Sequence, residues 1–172
     1  MIRIVRPADI VCYLDFDGVL HDDEVYFCRN RGVYLDMAGR TLFEWAHVLG
    51  ELLVPYPEVK LVLSTSWVRM KSFQFANRHL PSELQERVIG ATFHHDVMIA
   101  SDFDQLYRGQ QVWSDVVRRK ALRWFALDND DVGWPRHCRD NLILTDDRIG
   151  LSDPIVQQQI RVRLTELSNW FE

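Results

Sequence analysis

The sequence predicts an α/β fold, a Rossmann-like three-layer α/β/α sandwich with a mostly parallel sheet. Short apolar runs of strand length alternate with segments that carry one apolar face at helical spacing, which is typical of βαβ units. The 172 residues are 47% hydrophobic and 26% charged, as expected for a globular chain with a core of ordinary size. We therefore predict a single domain over residues 1–172.

The strands of the sheet are predicted from short apolar runs bounded by polar or turn-forming residues. In chain order these runs cover residues 10–14, 59–63, 88–93, 122–127 and 141–145. After the first run, two β-prone segments flank an Asn/Gly turn and predict a hairpin flap at about 24–35. Because helices connect the main strands, we expect their carboxyl ends at one edge, where α/β sheets bind ligands.

The segments between the strands predict the helices. They are expected over residues 40–53, 69–79, 82–87, about 110–120 and from about 154 onward. Pro154 suits the first position of the last helix, with Ser152 or Asp153 as its cap. Residues 94–108 are polar and irregular, which predicts a surface loop. The buried face of the last helix is predicted to consist of Val156, Ile160, Leu164, Leu167 and Phe171.

Two carboxylates one residue apart, Asp15 and Asp17, follow the first strand and precede Gly18. Alternation along a strand puts them on the same side, where two like charges need a shared cation or proton. Oxygen ligands suit a hard ion, and Mg²⁺ bound by a few carboxylates plus substrate phosphate is the common solution. Gly18 lets the backbone turn sharply and approach a ligand closely. The pattern predicts metal-assisted nucleophilic chemistry at this strand end.

The segment Asp15-Phe16-Asp17-Gly18-Val19 resembles the first motif of the haloacid dehalogenase (HAD) superfamily of phosphotransferases and phosphatases, Asp-x-Asp-Gly-[Thr/Val]. The resemblance implies that Asp15 is the nucleophile that forms an aspartyl-phosphate and that Asp17 is the general acid and base. Together with Leu-Ser-Thr-Ser-Trp at 63–67 and Ala-Leu-Asp-Asn-Asp at 126–130, it is similar to the small capless HAD domains noted in RNA-repair proteins.

The resemblance also implies a set of phosphate ligands. The superfamily ends its next strand with a Ser or Thr that binds the transferred phosphoryl group, and here Ser64 occupies that place, with Thr65 as the alternative. The third motif is a Lys or Arg at the start of the helix before the fourth strand, where Arg108 stands. An arginine can bind phosphate in bidentate fashion. Its competitors for this role are Arg69, Lys71 and Lys120.

The fourth motif implies the remaining metal ligands. Asp128 follows the fourth strand as the direct ligand, whereas Asn129 stands where the family often has a second acid. Asp130 or Asp131 then acts through water or by orienting the basic residue. An acid pair after the fifth strand, Asp146-Asp147, is the alternative to Asp128. The implied Mg²⁺ ligands are Asp15, Asp17 through its backbone carbonyl, Asp128 and Asp131.

These motifs imply Mg²⁺-dependent hydrolysis of a phosphate monoester. The intervals between the motifs leave no room for a large cap domain, so we expect an open site. A nucleotide, a polynucleotide end and a phosphoprotein are all compatible with it. A phosphotransferase and a catalytically silent HAD-fold binding domain are the alternative functions.

Composition bears on partners and compartment. The net charge of −5 does not indicate nucleic acid as a partner, and the basic run 118–120 with Arg123 is typical of a solvated helix face. No apolar stretch reaches the roughly 18 residues that span a bilayer, so no membrane is expected. Three cysteines without metal-ligand spacing favour the reducing cytoplasm. Trp67 is expected to pack in the core, with stacking on a substrate base as the alternative, and His21 to lie in a solvated turn or line the pocket.

Overall fold

The computed structural model, which describes residues 4–169, is built around a five-stranded parallel sheet. In chain order the strands are β1 (Ile10–Leu14), β2 (Val25–Cys28), β3 (Gly32–Leu35), β4 (Val59–Leu63), β5 (Val88–Ala91), β6 (Arg123–Asp128) and β7 (Leu142–Leu144). The order across the sheet is β5-β4-β1-β6-β7, and all four pairings are parallel. The predicted α/β class is confirmed.

Helices cover both faces of this sheet. They are α1 (Ala46–Leu53), α2 (Ser66–Met70), α3 (Phe73–Asn77), α4 (Ser82–Gln85), α5 (Ala100–Asp104), α6 (Arg108–Arg119) and α7 (Pro154–Ser168), with 3₁₀ turns at Arg136–Asn141 and Gly150–Ser152. Side chains of β1 point alternately to two apolar clusters. Leu14 packs in the cluster that contains α1 and α7, and Tyr13 packs in the cluster that contains α6. The three layers therefore follow from the alternation along a fully buried strand.

Two predicted segments differ from the structure. The helix expected over 69–79 is divided into α2 and α3, because Ser72 caps α3 by accepting a hydrogen bond from the backbone amide of Phe75. The loop expected over 94–108 contains α5 and the first residue of α6. Within it, Phe103 packs against Phe93 with the two rings tilted by 58° and their centroids 5.0 Å apart. One aromatic anchor orders a segment whose polar composition resembles a loop.

The last helix is as predicted. Asp153 caps it by accepting a hydrogen bond from the Ile155 amide at 2.8 Å. Its buried residues are Val156, Ile160, Leu164 and Leu167, and Phe171 lies outside the described residues.

Along the chain, the hairpin of β2 and β3 lies between β1 and α1. Its strands pair antiparallel from Val25 opposite Leu35 to Cys28 opposite Gly32. Over residues 4–169, only this hairpin and α1 separate β1 from β4. In the same range, no helix has the length and apolar content to cross a membrane.

The start of α6 is held by a close contact between backbones. A Cβ built on Gly109 would lie 2.4 Å from the Cα of Trp134, so only glycine lets α6 approach the loop that follows β6. The Gln110 side chain accepts a hydrogen bond from the Tyr107 backbone amide at 3.0 Å and holds the first turn. These contacts fix the position of Arg108, the first residue of the helix.

Replacing Gly109 by alanine is expected to lower the free energy of unfolding by about 1–3 kcal/mol, because the new methyl group overlaps backbone atoms. Gly50→Ala is the matched control. Gly50 lies inside α1 with its nearest neighbour, the Glu83 side chain, 3.6 Å from the added Cβ. That variant should gain about 0.5–1 kcal/mol from helix propensity. Urea unfolding measures both, and equal midpoints for the two variants would contradict the packing described here.

Candidate active site

Three neighbouring strands end side by side at the carboxyl edge of the sheet. Leu14 of β1 is in register with the last residue of β4 and with Leu127 of β6. The next positions on the three strands are Asp15, Ser64 and Asp128. Backbone hydrogen bonds continue across this row, from the amide of Asp15 to Leu127 at 3.0 Å and from the amide of Ser64 to Leu14 at 2.8 Å. The parallel register therefore aligns the three predicted site residues.

One arginine bridges all three strand ends. From the start of α6, Arg108 places Nη2 3.1 Å from Oδ2 of Asp15 and Nε 3.3 Å from Oδ2 of Asp128. Its Nη1 donates to the backbone carbonyl of Ser64. A planar guanidinium can make these contacts at once, whereas a lysine ammonium is a single point charge.

The other basic candidates have different contacts. Arg69 pairs with Asp104 at 2.8 Å, and the Lys71 ammonium lies 3.2 Å from the ring centroid of Phe27. Lys120 ends α6 in the left-handed backbone conformation, with φ of 56°. Arg108 is therefore the candidate that the fold brings to Asp15.

Burial dominates the electrostatics of the two carboxylates. It raises the pKa of Asp15 to about 6, a rise that Arg108 opposes and the charge of Asp17 reinforces. Burial and the charge of Asp15 raise the pKa of Asp128 well above its usual value. Burial alone would lower the pKa of Arg108, but Asp15 and Asp128 together raise it. One guanidinium therefore does not neutralise this set of acids.

A hard cation fits this surplus of negative charge. Among residues 4–169, Oδ2 of Asp128 is buried and lacks a hydrogen-bond partner. The same range contains no group of three or more His, Cys, Asp or Glu side chains in metal-binding geometry. The Mg²⁺ ligands implied by the sequence include fewer than three such side chains near β1 and β6, since they are the carboxylates of Asp15 and Asp128 and the backbone carbonyl of Asp17. The lack of a hydrogen bond to Oδ2 of Asp128, whose contact is the ion pair with Arg108, and the raised pKa values of Asp15 and Asp128 are consistent with that set.

Ser64 and Thr65 have different surroundings. The Thr65 hydroxyl accepts the Trp67 backbone amide at 3.4 Å, which caps α2, and it hydrogen-bonds the Asp15 carboxylate. In the described part of the chain, the buried Ser64 hydroxyl has no hydrogen-bond partner. Ser64 is therefore the better placed of the two to meet a substrate oxygen.

Two N–H groups orient the side chain of Asp17. Its Oδ1 lies 2.9 Å from Nε1 of Trp67 and 3.0 Å from Nε2 of His21. The backbone amide of Phe43 donates to Nδ1 of His21 at 3.2 Å, so Nε2 must carry the imidazole proton. The indole N–H of Trp67 and the Nε2–H of His21 therefore both donate to the Asp17 carboxylate.

The sequence did not predict this role for either residue. Trp67 packs in the core as expected, but its indole N–H also reaches Asp17. His21 is fully buried rather than part of a solvated turn. The sequence offered one indication of the contact with Asp17, namely that His21 follows it by four residues. The hydrogen bond from the Phe43 amide, which sets the position of the imidazole proton, depends on tertiary structure.

A family model described as the HAD domain in Swiss Army Knife RNA repair proteins matches residues 11–156. The chain belongs to this family. No curated protein and no solved structure matches it. The matched range includes Asp15, Ser64, Arg108 and Asp128, so the resemblance inferred from the motifs is confirmed at the level of a HAD-type domain, which belongs to a superfamily of hydrolases and phosphatases.

The acids after β6 of this HAD domain are not equivalent. Asp131 is partly exposed and its carboxylate pairs with Arg139. Asp130 donates its backbone amide to Asp128 at 3.0 Å. Burial lowers the pKa of Arg108, and the charge of Asp130 helps Asp15 and Asp128, whose effects are larger, to raise it. The contacts therefore favour Asp130 over Asp131 as the second acid.

The alternative acid pair after β7 has other partners. Asp147 accepts a hydrogen bond from the Asn129 amide at 2.9 Å, and Asp146 accepts the backbone amide of Arg148. Asp128, which contacts Arg108, is therefore the better candidate for the fourth motif.

The basic run near the end of α6 is only partly the solvated face that was predicted, since Arg118 and Lys120 are exposed but Arg119 and Arg123 are not. Arg119 is fully buried and its Nε lies 2.5 Å from Oδ2 of Asp115, one helical turn earlier. Arg123 is also buried and donates to the Leu167 carbonyl at 2.9 Å. Two of the four basic residues are therefore buried in the HAD domain, because Asp115 pairs with Arg119 and the Leu167 carbonyl accepts a hydrogen bond from Arg123.

Two clefts flank the row of strand ends. The hairpin cleft, of about 130 Å³, is lined by Asp17, Val25, Phe27, Val33, Trp67 and Met70. The arginine cleft, of about 450 Å³, is lined by Thr65, Arg69, Tyr107, Arg108 and Asp130, among others. A phosphoryl group at Asp15 could therefore be approached from two sides.

The raised pKa of Asp15 predicts a pH dependence of stability in metal-free protein. Between its ordinary value of 3.8 and about 6, the folded state holds a proton that the unfolded state has lost. The free energy of unfolding contributed by this group should fall as the pH rises through that window. Asp15→Asn should remove the fall, on the order of 2 kcal/mol, when urea unfolding with a chelator is compared at pH 4 and pH 7.

Asp140→Asn, at an exposed position, is the control for this comparison. It should keep the profile of the wild type. If the free energy of unfolding depended on pH in the same way in Asp15→Asn and in the wild type, burial would not raise the pKa of Asp15.

Proposed function

We propose that this HAD domain is a Mg²⁺-dependent phosphate-monoester hydrolase that acts through an aspartyl-phosphate on Asp15. The observation that carries the proposal is the contact of one guanidinium with three strand ends. Arg108 touches the nucleophile candidate Asp15, the backbone of the phosphate-ligand candidate Ser64 and the metal-ligand candidate Asp128. Three roles implied by separate motifs meet at one cation, which is the arrangement that phosphoryl transfer requires.

In the first step Oδ of Asp15 attacks phosphorus in line, and the bond to the leaving oxygen breaks. Arg108 holds Asp15 in place and binds the equatorial phosphoryl oxygens together with the hydroxyl of Ser64. Asp17 gives a proton to the leaving oxygen. In the second step Asp17 takes a proton from water, which attacks the aspartyl-phosphate and releases inorganic phosphate.

Mg²⁺ held by Asp15, Asp128 and the Asp17 backbone carbonyl would offset the charge of the phosphoryl group and of the buried acids. His21 and Trp67 would fix the position of the Asp17 carboxylate through both steps. Their two N–H groups stand in place of water and exclude it from that side of the carboxylate.

The open site suits a phosphate carried on a large molecule. No inserted domain closes it over the described residues, and a cleft lies on each side. The name of the matched family refers to RNA repair, which supports phosphorylated RNA ends as the first substrates to examine.

Hydrolysis of an aryl phosphate with and without Mg²⁺ tests the proposal. Wild-type turnover should require the metal, and Asp15→Asn should reduce it to the background rate because the nucleophile is lost. Arg108→Lys should lower kcat by about 10²-fold, since a point charge cannot replace the bridging donors. Asp140→Asn should leave the rate unchanged.

Two results would contradict the proposal. Absence of turnover, together with no binding of a fluoride phosphate mimic with Mg²⁺, would favour a silent binding domain. Transfer of phosphate to an added alcohol in preference to water would favour a phosphotransferase.

A further inference from the structure

The general acid fixes the side on which the leaving group of the substrate must lie. Asp17 gives its proton to the leaving oxygen in the reaction proposed above, and Asp17 lines the hairpin cleft. The part of the substrate that departs with that oxygen is therefore next to this cleft. The arginine cleft lies on the side of Arg108, which binds the phosphoryl group itself in the proposed reaction.

The size and walls of the hairpin cleft suit one flat ring. Apolar side chains of the hairpin face Trp67 and Met70 of α2 across it. Its volume is about 130 Å³. A closed apolar cavity of about 150 Å³ is enough to bind one benzene molecule.

Phe27 offers an aromatic surface at the cleft. It is a lining residue and yet 54% exposed. The ammonium of Lys71, another lining residue, lies 3.2 Å from its ring centroid and covers one face of the ring, so a base that stacks on this face must displace the ammonium. A ring that enters the cleft would cover apolar surface that now faces water, which favours binding.

Basic side chains occur at this cleft and on the turn of its hairpin, although the whole chain is acidic. Lys71 lies at the cleft, and the turn of the same hairpin carries exposed Arg29 and Arg31. These cations are complementary to negative charge beyond the reacting phosphate. A polynucleotide end combines a flat base with a further phosphodiester, whereas an aryl phosphate on a peptide offers the ring alone.

We infer that the hairpin cleft is a base-binding subsite, in which the nucleobase of a phosphorylated polynucleotide end stacks on Phe27 while Lys71 and the hairpin arginines face the next phosphodiester. The inference rests on the proposed hydrolase function and specifies its substrate. It assigns the hairpin, which lies outside the four motifs, to substrate selection.

Three substrates with terminal or single phosphates test the subsite. They are dinucleotides phosphorylated at the 3′ or 5′ end, the same molecules with the terminal base removed, and acetyl phosphate, whose leaving group is too small to reach the cleft. In the wild type, kcat/KM should be about tenfold higher with the base than without it. Phe27→Ala should remove that preference and leave acetyl phosphate hydrolysis unchanged, whereas Phe27→Tyr should keep the preference.

Leu122→Ala is the matched control, because Leu122 is 64% exposed and lies just before β6, at the opposite edge of the sheet. It should change none of the three rates. Equal kcat/KM with and without the base, an equal loss on all substrates in Phe27→Ala, or a higher kcat/KM for a phosphotyrosyl peptide than for the dinucleotides would overturn the inference.

A binding measurement separates this inference from the proposed function. Fluorescence titration of Asp15→Asn protein with the same dinucleotides should show tighter binding with the base than without it, and Phe27→Ala should abolish the difference. If the wild type hydrolyses none of these substrates and binds no fluoride phosphate mimic with Mg²⁺, the hydrolase proposal fails, and the titration still decides whether the cleft binds a base.

Discussion

The buried guanidinium of Arg108 is the contact on which the active-site edge depends. It joins the ends of β1, β4 and β6, which would otherwise present two buried carboxylates to each other. Its position follows from two independent features of the chain: the parallel register that aligns the three strand ends, and the glycine at 109 that lets α6 approach Trp134. Removing one partner of a buried charge pair typically costs about 3–5 kcal/mol, so this cation stabilises the fold as well as the site.

The arrangement that would serve the proposed reaction opposes stability. Asp15 and Asp128 are held where burial raises both pKa values, and a single cation does not offset them. Groups placed in advance where charge will develop are effective in catalysis because no reorganisation is needed when the reaction occurs. A phosphoryl group and a divalent cation would relieve this local charge imbalance. Among the described residues, the Ser64 hydroxyl and Oδ2 of Asp128 have no hydrogen-bond partner, although Oδ2 lies 3.3 Å from Nε of Arg108. These are the oxygens that a phosphoryl group and a cation would meet.

Strand-end positions explain why much of the site could be predicted from the sequence. Asp15, Ser64 and Asp128 each follow an apolar run, and parallel strands bring such positions together without further information. The role of His21 could not be predicted in this way, because it is set by a backbone amide 22 residues away. The burial of Arg119 depends on its ion pair with Asp115, one helical turn earlier, which local composition does not reveal. Substrate, metal dependence and the extent of the domain stay predictions.

A double-mutant cycle on the free energy of unfolding tests the central contact most directly. Arg108→Gln, Asp128→Asn and the double variant would be unfolded in urea with a chelator present, so that neither substrate nor metal is needed. Because Arg108→Gln leaves two buried carboxylates uncompensated, the account predicts that it is strongly destabilising alone and much less so beside Asp128→Asn, with a coupling of about 1–3 kcal/mol. Additive effects, with a coupling below about 0.5 kcal/mol, would show that Arg108 does not hold these strand ends together.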